Sequence, residues 1–576
     1  MRVLLTAINS KYIHTGLGLR YVSGYAKAQG HEVELLEETI NSQILDVLEK
    51  IMVAQAEVYG FSVHIWNKPF VMQLIAMLRK LNPEAVIVVG GPEVSFDAER
   101  IFSEQPAIDY IVQGEGEICF SKLLESLEKH EAIPKHIAFK DYTSVCLNGG
   151  ATVINDLSVL PFPYPDLENI VAEHKIAYYE CTRGCPFNCA YCLSGISRSV
   201  RRRPLALVLQ DLDRFIAAGV PLVKFVDRTY NLDENYFLPI MQHLAKADAR
   251  ATFHFEIKAD ILSERVLDFL ATVPKGRFQM EIGIQSTHQP TLAAINRQDN
   301  WQRLAANVKR LLSFKNMHIH VDLIAGLPYE DLPTFGKSFN DVYGLSAHML
   351  QLGFLKVLPG TQMQQQTQEH ELLYMDEPPY EILATKYMPY ADMQFLKRLE
   401  NVLGQTGNSG IFANTLRALI QYEASTPFAF YSKLTNWWVE KGYYPQTHNA
   451  KGVAEILLQY IEENCAEQAA VLKEILRYDV FVGIPGWRPK ELDWQSENIF
   501  AKVSTFWRNE ELVLQFIPSY KFSSWRQINK NYPIEYFRYH WQTGKEGSYY
   551  IMVDNTANEK KIVELSCLDV FAKENQ

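Results

Sequence analysis

An alternation of short apolar runs and amphipathic segments, repeated in two series along 576 residues, constrains this chain more than any other feature. In the first series Val3–Ile8, Val33–Leu36, Val58–Val63, Ala85–Val89 and Tyr110–Val112 read as strands. Leu17–Ala28, Ile44–Val53, Phe70–Leu81 and Ile118–Leu127 read as the helices between them. Such alternation predicts a parallel sheet covered on both faces. Right-handed crossovers make it a doubly wound, flavodoxin-like or Rossmann-like α/β domain. Sheets of this kind bind ligands beyond the carboxyl ends of their strands. Three loops fall at that edge: Asn9 to Gly16, Gly90-Gly91-Pro92-Glu93, and Gln113-Gly114-Glu115-Gly116-Glu117. Their glycines permit close backbone approach to a ligand, and plain tight turns would use the same residues.

Residues 140–170 look irregular, and Leu160-Pro161-Phe162-Pro163-Tyr164-Pro165 cannot form a helix. A second series follows, with strands at Ile176–Glu180, Val223–Val226, Thr252–Ile257, Phe278–Ile284, Ile319–Ile324 and Gln351–Val357. Its helices include Leu205–Ala218, Glu264–Val273, Gln289–Ile295 and Trp301–Phe314. Six alternations suit an open, partial TIM-like β/α barrel with its active face at the strand carboxyl ends. Beyond Glu377 the alternation stops. Asn414–Glu423, Gly452–Cys465 and Glu467–Leu476 read as helices, and Leu512–Phe516 and Tyr549–Val553 as strands, giving an α+β accessory domain. Seven of the nine tryptophans lie there and read chiefly as core fillers. The expected boundaries are 1–140, a linker at 141–172, 173–376 and 377–576.

A formal net charge of -11 argues against a general nucleic-acid binder. No apolar run approaches the length of a membrane span, and the apolar start is too short for a signal peptide. A cytoplasmic, reducing location is expected. Eight cysteines are too few for a disulfide scaffold. Cys119, Cys146, Cys465 and Cys567 are scattered and read as inert thiols.

The other four fall in one segment, Glu180-Cys181-Thr182-Arg183-Gly184-Cys185-Pro186-Phe187-Asn188-Cys189-Ala190-Tyr191-Cys192. Cys185, Cys189 and Cys192 can curl around one centre in a single loop, and soft thiolates suit iron–sulfur clusters or zinc. Three ligands on a four-iron cluster leave one iron open for chemistry. The alternative is a structural zinc site in a non-catalytic binding protein, with Cys181 as the fourth ligand.

This loop, following a first barrel strand and with Tyr191 before its last cysteine, resembles the radical S-adenosylmethionine (SAM) superfamily. The resemblance implies an enzyme whose 4Fe–4S cluster, held by Cys185, Cys189 and Cys192, chelates SAM and cleaves it reductively to a 5′-deoxyadenosyl radical. It places Tyr191 near the adenine. Glu256, Glu281 and Gln285 would contact the SAM amino group, carboxylate or ribose, and Arg297 would pair with its carboxylate. Gly326 and Pro328 would shape the adenine side. Asp227-Arg228 departs from the Asp-Asp pair usual at that point.

The doubly wound domain ahead of this barrel resembles the cobalamin-binding branch of the superfamily, which often methylates unactivated carbon. Gly90, Gly91, Gly114 and Glu115 are similar to cobalamin-side loops in that branch. The Asp-x-His-x-x-Gly signature that supplies a histidine to cobalt is absent; His14 is the candidate for that contact, and His64 a lesser one. A radical SAM enzyme without cobalamin is the alternative. The run from Arg198 to Arg203 reads as arginines paired with acidic neighbours, or as a site for an anionic substrate or an electron donor such as flavodoxin or ferredoxin. The C-terminal part, through Asn408-Ser409-Gly410 and Arg477-Tyr478-Asp479, resembles an uncharacterised domain that accompanies this class.

Overall fold

The structure is a computed structural model that describes residues 1–571 apart from 142–143, 197, 248–249, 424, 495–498, 519, 523, 557–559 and 567. Cys567 therefore lies outside the described residues. The chain divides into two compact units: Met1–Ser338 with Leu345–Ala347 and Leu352–Met393, and Phe339–Gly344 with His348–Gln351 and Gln394–Gln576.

The first unit opens with β1 (Arg2–Asn9), β2 (Glu32–Thr39), β3 (Val58–Ser62), β4 (Val86–Gly90) and β5 (Tyr110–Val112), parallel in the order β2-β1-β3-β4-β5. That is the flavodoxin-like order, whose switch point lies between β1 and β3. Five helices cover it: α1 (Leu17–Ala28), α2 (Ile44–Val53), α3 (Lys68–Leu81), α4 (Ala98–Glu104) and α5 (Gly116–Lys129). Val47, Ile51, Leu74, Leu78 and Phe102 of α2, α3 and α4 fill one face of the sheet. Leu19, Ala26, Phe120, Leu123 and Leu124 of α1 and α5 fill the other. Each fully buried Val, Leu, Ile or Phe among these contributes about 1.5–3 kcal/mol relative to leaving it in water. The sheet does not stop at the fifth strand. β6 (Ile137–Lys140) and β7 (Val145–Cys146) extend it antiparallel, β7 within the stretch expected to be irregular linker. Ile137 and Ala138 are fully buried, but pieces of four and two residues are too short to show a period in sequence. The linker proper carries α6 (Leu167–Ala172).

The second series opens with β8 (Ala177–Tyr179), followed by a small antiparallel pair, β9 (Thr182–Arg183) and β10 (Arg201–Arg202). Then come β11 (Leu222–Phe225), β12 (Thr252–Ile257), β13 (Phe278–Gln285), β14 (His318–Ala325) and β15 (Met349–Phe354). Their sheet has six strands in the order β15-β14-β13-β12-β11-β8, an open barrel wall. Six helices alternate with these strands: α7 (Leu205–Ala218), α8 (Glu234–Lys246), α9 (Glu264–Leu270), α10 (Gln289–Ala294), α11 (Trp301–Ser313) and α12 (Leu332–Tyr343). Period-2 alternation sets the wall's two faces. In β13, Phe278, Met280, Ile282 and Ile284 are buried, while Gln279, Glu281, Gly283 and Gln285 are half-buried on the opposite face. A short hairpin, β16 (Leu373–Tyr374) and β17 (Ile382–Ala384), also belongs to the first unit.

The second unit contains the helices Ala413–Tyr422, Pro427–Glu440, Ala450–Asn464 and Ala469–Gly483, and an antiparallel sheet of β18 (Ile534–Tyr539), β19 (Glu546–Asp554) and β20 (Lys561–Glu564). Leu512–Phe516, expected as a strand, instead begins in the helix Glu510–Leu514 and ends in the turn after it, the helix being started by the Asn509 side chain accepting from the Leu512 N–H at 3.1 Å. Asp479 is buried and accepts from Asn414 and Thr415, and buried Arg477 reaches the Tyr536 carbonyl at 2.6 Å. That segment therefore holds the unit together from inside. Trp438 and Trp507 are core. Among the described residues no helix is long and apolar enough to cross a membrane.

Candidate functional site

The loop after β9 and the carboxyl ends of β12, β13 and β14 enclose a cavity of about 280 Å³. Cys185, Cys189 and Cys192 all line it, with Tyr191, Glu256, Glu281, Gln285 and Arg297. Gly326 and Pro328, expected on the adenine side, do not line it. Gly326 instead turns the chain after β14 at φ +86°, where a Cβ would stand 2.8 Å from Ile382, and the Pro328 carbonyl accepts from Thr291 at 2.9 Å. Cys181 is elsewhere as well: its fully buried thiol donates to Asp227 at 3.1 Å, and burial pushes its pKa up. Among the described residues no three His, Cys, Asp or Glu side chains stand close enough to hold a single metal ion. Three cysteines facing one cavity at wider spacing suit a multi-iron cluster with three protein ligands better than one zinc ion with four.

Arg297 follows Asn296, which has φ +56°. Its guanidinium donates to Asp299 and to the Gly283 carbonyl, and approaches the Tyr191 hydroxyl at 3.4 Å. Burial raises the Cys189 thiol pKa, and the charge of Arg297 pulls against that rise. Residues beyond the expected set line the same cavity: Arg228, Thr229, Lys258, Asn296 and Asp322. Arg228, Thr229 and Lys258 sit just past a strand's carboxyl end, Asp322 in the second half of β14 and Asn296 beside Arg297. Gly283 belongs here because a Cβ would stand 2.3 Å from the Gln285 amide.

The carboxylates of this cavity divide by environment. His254 donates to Glu281 at 3.0 Å and holds it below the usual range. Burial raises Glu256 to about 7 against the pull of Arg228. Burial, then the charges of Glu281 and Glu256, raises Asp322 to about 8. One Asp322 oxygen and the Gln285 carbonyl oxygen are buried without a partner. Unpaired buried polar atoms cost about 1–3 kcal/mol each, so they mark where a polar ligand would fit.

A second cavity, of about 270 Å³, opens at the carboxyl edge of the flavodoxin-like sheet. Six glycines line it: Gly18, Gly60, Gly90, Gly91, Gly114 and Gly116. A Cβ on Gly18 would meet nothing within 4 Å, so its absence leaves cavity space. At Gly91 (φ +108°) a Cβ would stand 2.6 Å from the Val63 carbonyl oxygen. Tyr21, Phe61, Val89 and Phe120 supply apolar wall, a shape and chemistry that fit a large, partly planar cofactor. Glu115 also lines it, but its carboxylate accepts from Arg201 at 2.7 and 2.8 Å and from the Ile154 N–H at 2.7 Å. Arg183 joins Glu117 and Glu180 at the same wall, each at 2.6 Å. Arg203 pairs with Asp211 at 3.0 Å. Arg202 pairs with Asp233 at 2.8 Å, so Arg201, Arg202 and Arg203 of the run are ion-paired, Arg201 and Arg203 being buried and Arg198 exposed. His14 does not line the cavity; its ring is hydrogen-bonded to the Tyr178 hydroxyl. His64 does line it, and burial keeps its imidazole neutral by pushing its pKa down to about 4.

Residues 3–124 match the B12 binding domain family and residues 179–342 the radical SAM superfamily. Residues 368–561 match DUF4080, a family of proteins of unknown function. An uncharacterised methyltransferase of Pyrococcus horikoshii is 23% identical over 360 residues, 60% of this chain and 77% of that protein. The cobalamin-dependent radical SAM methyltransferase TokK of Streptomyces tokunonensis is 25% identical over 334 residues, 53% of this chain and 48% of that protein. The structure of the radical SAM methyltransferase TsrM from Kitasatospora setae, with cobalamin and a [4Fe–4S] cluster bound, has a TM-score of 0.56 at 16% identity, covering 66% of this chain and 78% of that one. At that identity the likeness is one of fold.

Proposed function

The chain is a radical SAM enzyme with a B12-binding domain ahead of its barrel, and from that premise we propose that it cleaves SAM reductively at a 4Fe–4S cluster and uses cobalamin to methylate or rearrange its substrate. The observation that carries this reading is the shared cavity. Cys185, Cys189 and Cys192 face the same space as Glu256, Glu281, Gln285 and Arg297, while Cys181 is bonded to Asp227. When bound, the cluster supplies the electron that splits the sulfonium of SAM to methionine and a 5′-deoxyadenosyl radical. A flavodoxin or ferredoxin is the class of donor for that electron.

The protein's own groups then have separable tasks. The Arg297 fork, fixed by Asp299 and Gly283, would hold the SAM carboxylate, and charge-assisted bonds of this kind contribute about 1.5–3 kcal/mol. Glu281, kept ionised by His254, would accept from the SAM ammonium. Asp322, protonated at neutral pH, presents an O–H donor instead, and the free Gln285 oxygen would accept from a hydroxyl. The glycine-lined cavity would hold cobalamin.

Anaerobic reconstitution with iron and sulfide tests the reading. About four irons and four sulfides per chain, 5′-deoxyadenosine on adding SAM and a strong reductant, and retention of hydroxocobalamin through gel filtration are expected. Cys189→Ala should lose the iron and Cys181→Ala should keep it. One zinc per chain without labile sulfide would overturn the enzyme reading. Loss of cobalamin on the column, with the other results intact, would leave a radical SAM enzyme without that cofactor.

A further inference from the structure

We propose that His64 is the protein's axial ligand to the cobalt of a cobalamin seated in the cavity at the carboxyl edge of the flavodoxin-like sheet. The inference rests on the reading that this cavity takes cobalamin, and goes beyond it by naming the contact to the metal.

His64 follows β3, beside the switch point of the sheet, and is the one imidazole among the described residues lining the cavity. Its backbone is pinned from both sides. The His64 N–H donates to the Asn67 side chain at 2.7 Å, and its carbonyl accepts from the N–H groups of Asn67 and Lys68 at 3.1 and 3.0 Å. Asn67 is fully buried, and its amide donates to the carbonyls of Ile8 and Ser62 at 2.9 and 3.0 Å. The ring is pinned too. It stacks on Trp66, with centroids 4.4 Å apart and planes 4° from parallel. The Trp66 indole N–H is itself tied to the Ile8 carbonyl at 3.0 Å.

A side chain held this firmly usually spends its polar atoms on its support. His64 does not: neither ring nitrogen has a hydrogen-bond partner among the described residues. A ring nitrogen left without a partner can present its lone pair, as metal-ligating histidines do. Ligating histidines usually anchor the second nitrogen on an acceptor. Here the stack on Trp66 takes over that orienting task. His14, the other candidate, is committed to Tyr178. Gly90 and Gly91 line the cavity alongside His64, and position 91 demands glycine twice over, by its φ of +108° and by the Val63 backbone.

The experiment uses the full chain loaded with hydroxocobalamin, reduced anaerobically to the cobalt(II) state and read by electron paramagnetic resonance. Protein with ordinary histidine should show each cobalt line split into a triplet by one nitrogen. Protein grown on nitrogen-15 histidine should show doublets, which the cofactor's own base cannot produce. His64→Ala should retain cobalamin and lose the doublet; His14→Ala should keep it. Bound cobalamin without a doublet in the labelled wild-type protein would overturn the assignment without any variant, as would a doublet that survives His64→Ala. Failure of the wild-type chain to retain cobalamin would overturn the cofactor reading, and the His64 assignment with it.

Discussion

Asp322 and Glu256 share a cavity with Glu281, and their proton affinities follow from that crowding. Both are raised, to about 8 and about 7, because burial penalises the charged form and a neighbouring carboxylate stays ionised. Each therefore binds its proton more tightly folded than unfolded. The stability associated with these protons is complete below the ordinary carboxylate range, near pH 4, and is lost as pH rises through about 7 and about 8. In cofactor-free protein the slope should approach about 1.4 kcal/mol per pH unit per group at most. Asp322→Asn mimics the neutral acid, so its thermal midpoint should fall less than the wild type's between pH 5 and pH 8. Equal slopes in the two proteins would show that Asp322 ionises normally. Arg297 allows a second test. Lys keeps the charge and loses the fork, so Arg297→Lys should weaken SAM binding by roughly ten- to a hundredfold in equilibrium dialysis, the equivalent of about 1.5–3 kcal/mol.

Elements whose pattern is set by burial on one stripe were readable to the residue: α1, α2 and α7 have the bounds that periodicity assigns them. The elements that escaped did so for local reasons. α8 carries Pro239 in its interior, α12 carries Pro333 and Gly336, and α4 has only seven residues. Leu512–Phe516 is an apolar run too short to separate strand from helix by period, and the Asn509 cap decided it. The cysteine loop was legible because three thiolates at fixed spacing have few other uses. Gly90, Gly91, Gly114 and Gly116 were legible as loop residues but not by task, since a sequence cannot tell a turn from a missing side chain, and Gly18 and Gly60 were hidden inside a helix and a strand. Gly18 illustrates the difference. It sits in α1, where glycine costs about 1 kcal/mol against alanine, yet it borders open cavity. Gly18→Ala should raise the melting temperature slightly. Gly18→Phe should keep the fold, since the added ring enters empty space, and should abolish cobalamin retention on gel filtration. Undiminished retention by Gly18→Phe would move the cofactor site elsewhere.

Two compact units with separate cores make the whole molecule more than a two-state system. Val3, Leu5, Val88 and Phe120 belong to the core of the first unit, and Phe506, Trp507, Tyr536 and Met552 to that of the second. Both proposed cofactor cavities lie wholly within the first unit. Across its interior, Glu115 and Glu117 of the sheet domain meet Arg201 and Arg183 of the loop that carries the cysteines. Removing one member of such a buried pair leaves the other uncompensated, at about 3–5 kcal/mol. The sheet domain and barrel should thus unfold together, and Arg201→Ala should destabilise both. Linkage then gives a signature that a single melting temperature would hide. A cofactor that binds only the folded first unit stabilises it by about 2.7 kcal/mol at a hundred times its dissociation constant. Calorimetry of the intact chain with and without hydroxocobalamin should move the transition assigned to the first unit upward and leave that of the second in place. Hydrogen exchange read by mass spectrometry assigns the two: slowed amides should map to β1, β3, β4 and α5 and extend into β8. Slowing confined to the sheet strands would show that the ionic wall does not couple the two domains. Slowing centred on β18 and β19 would place the cofactor in the second unit.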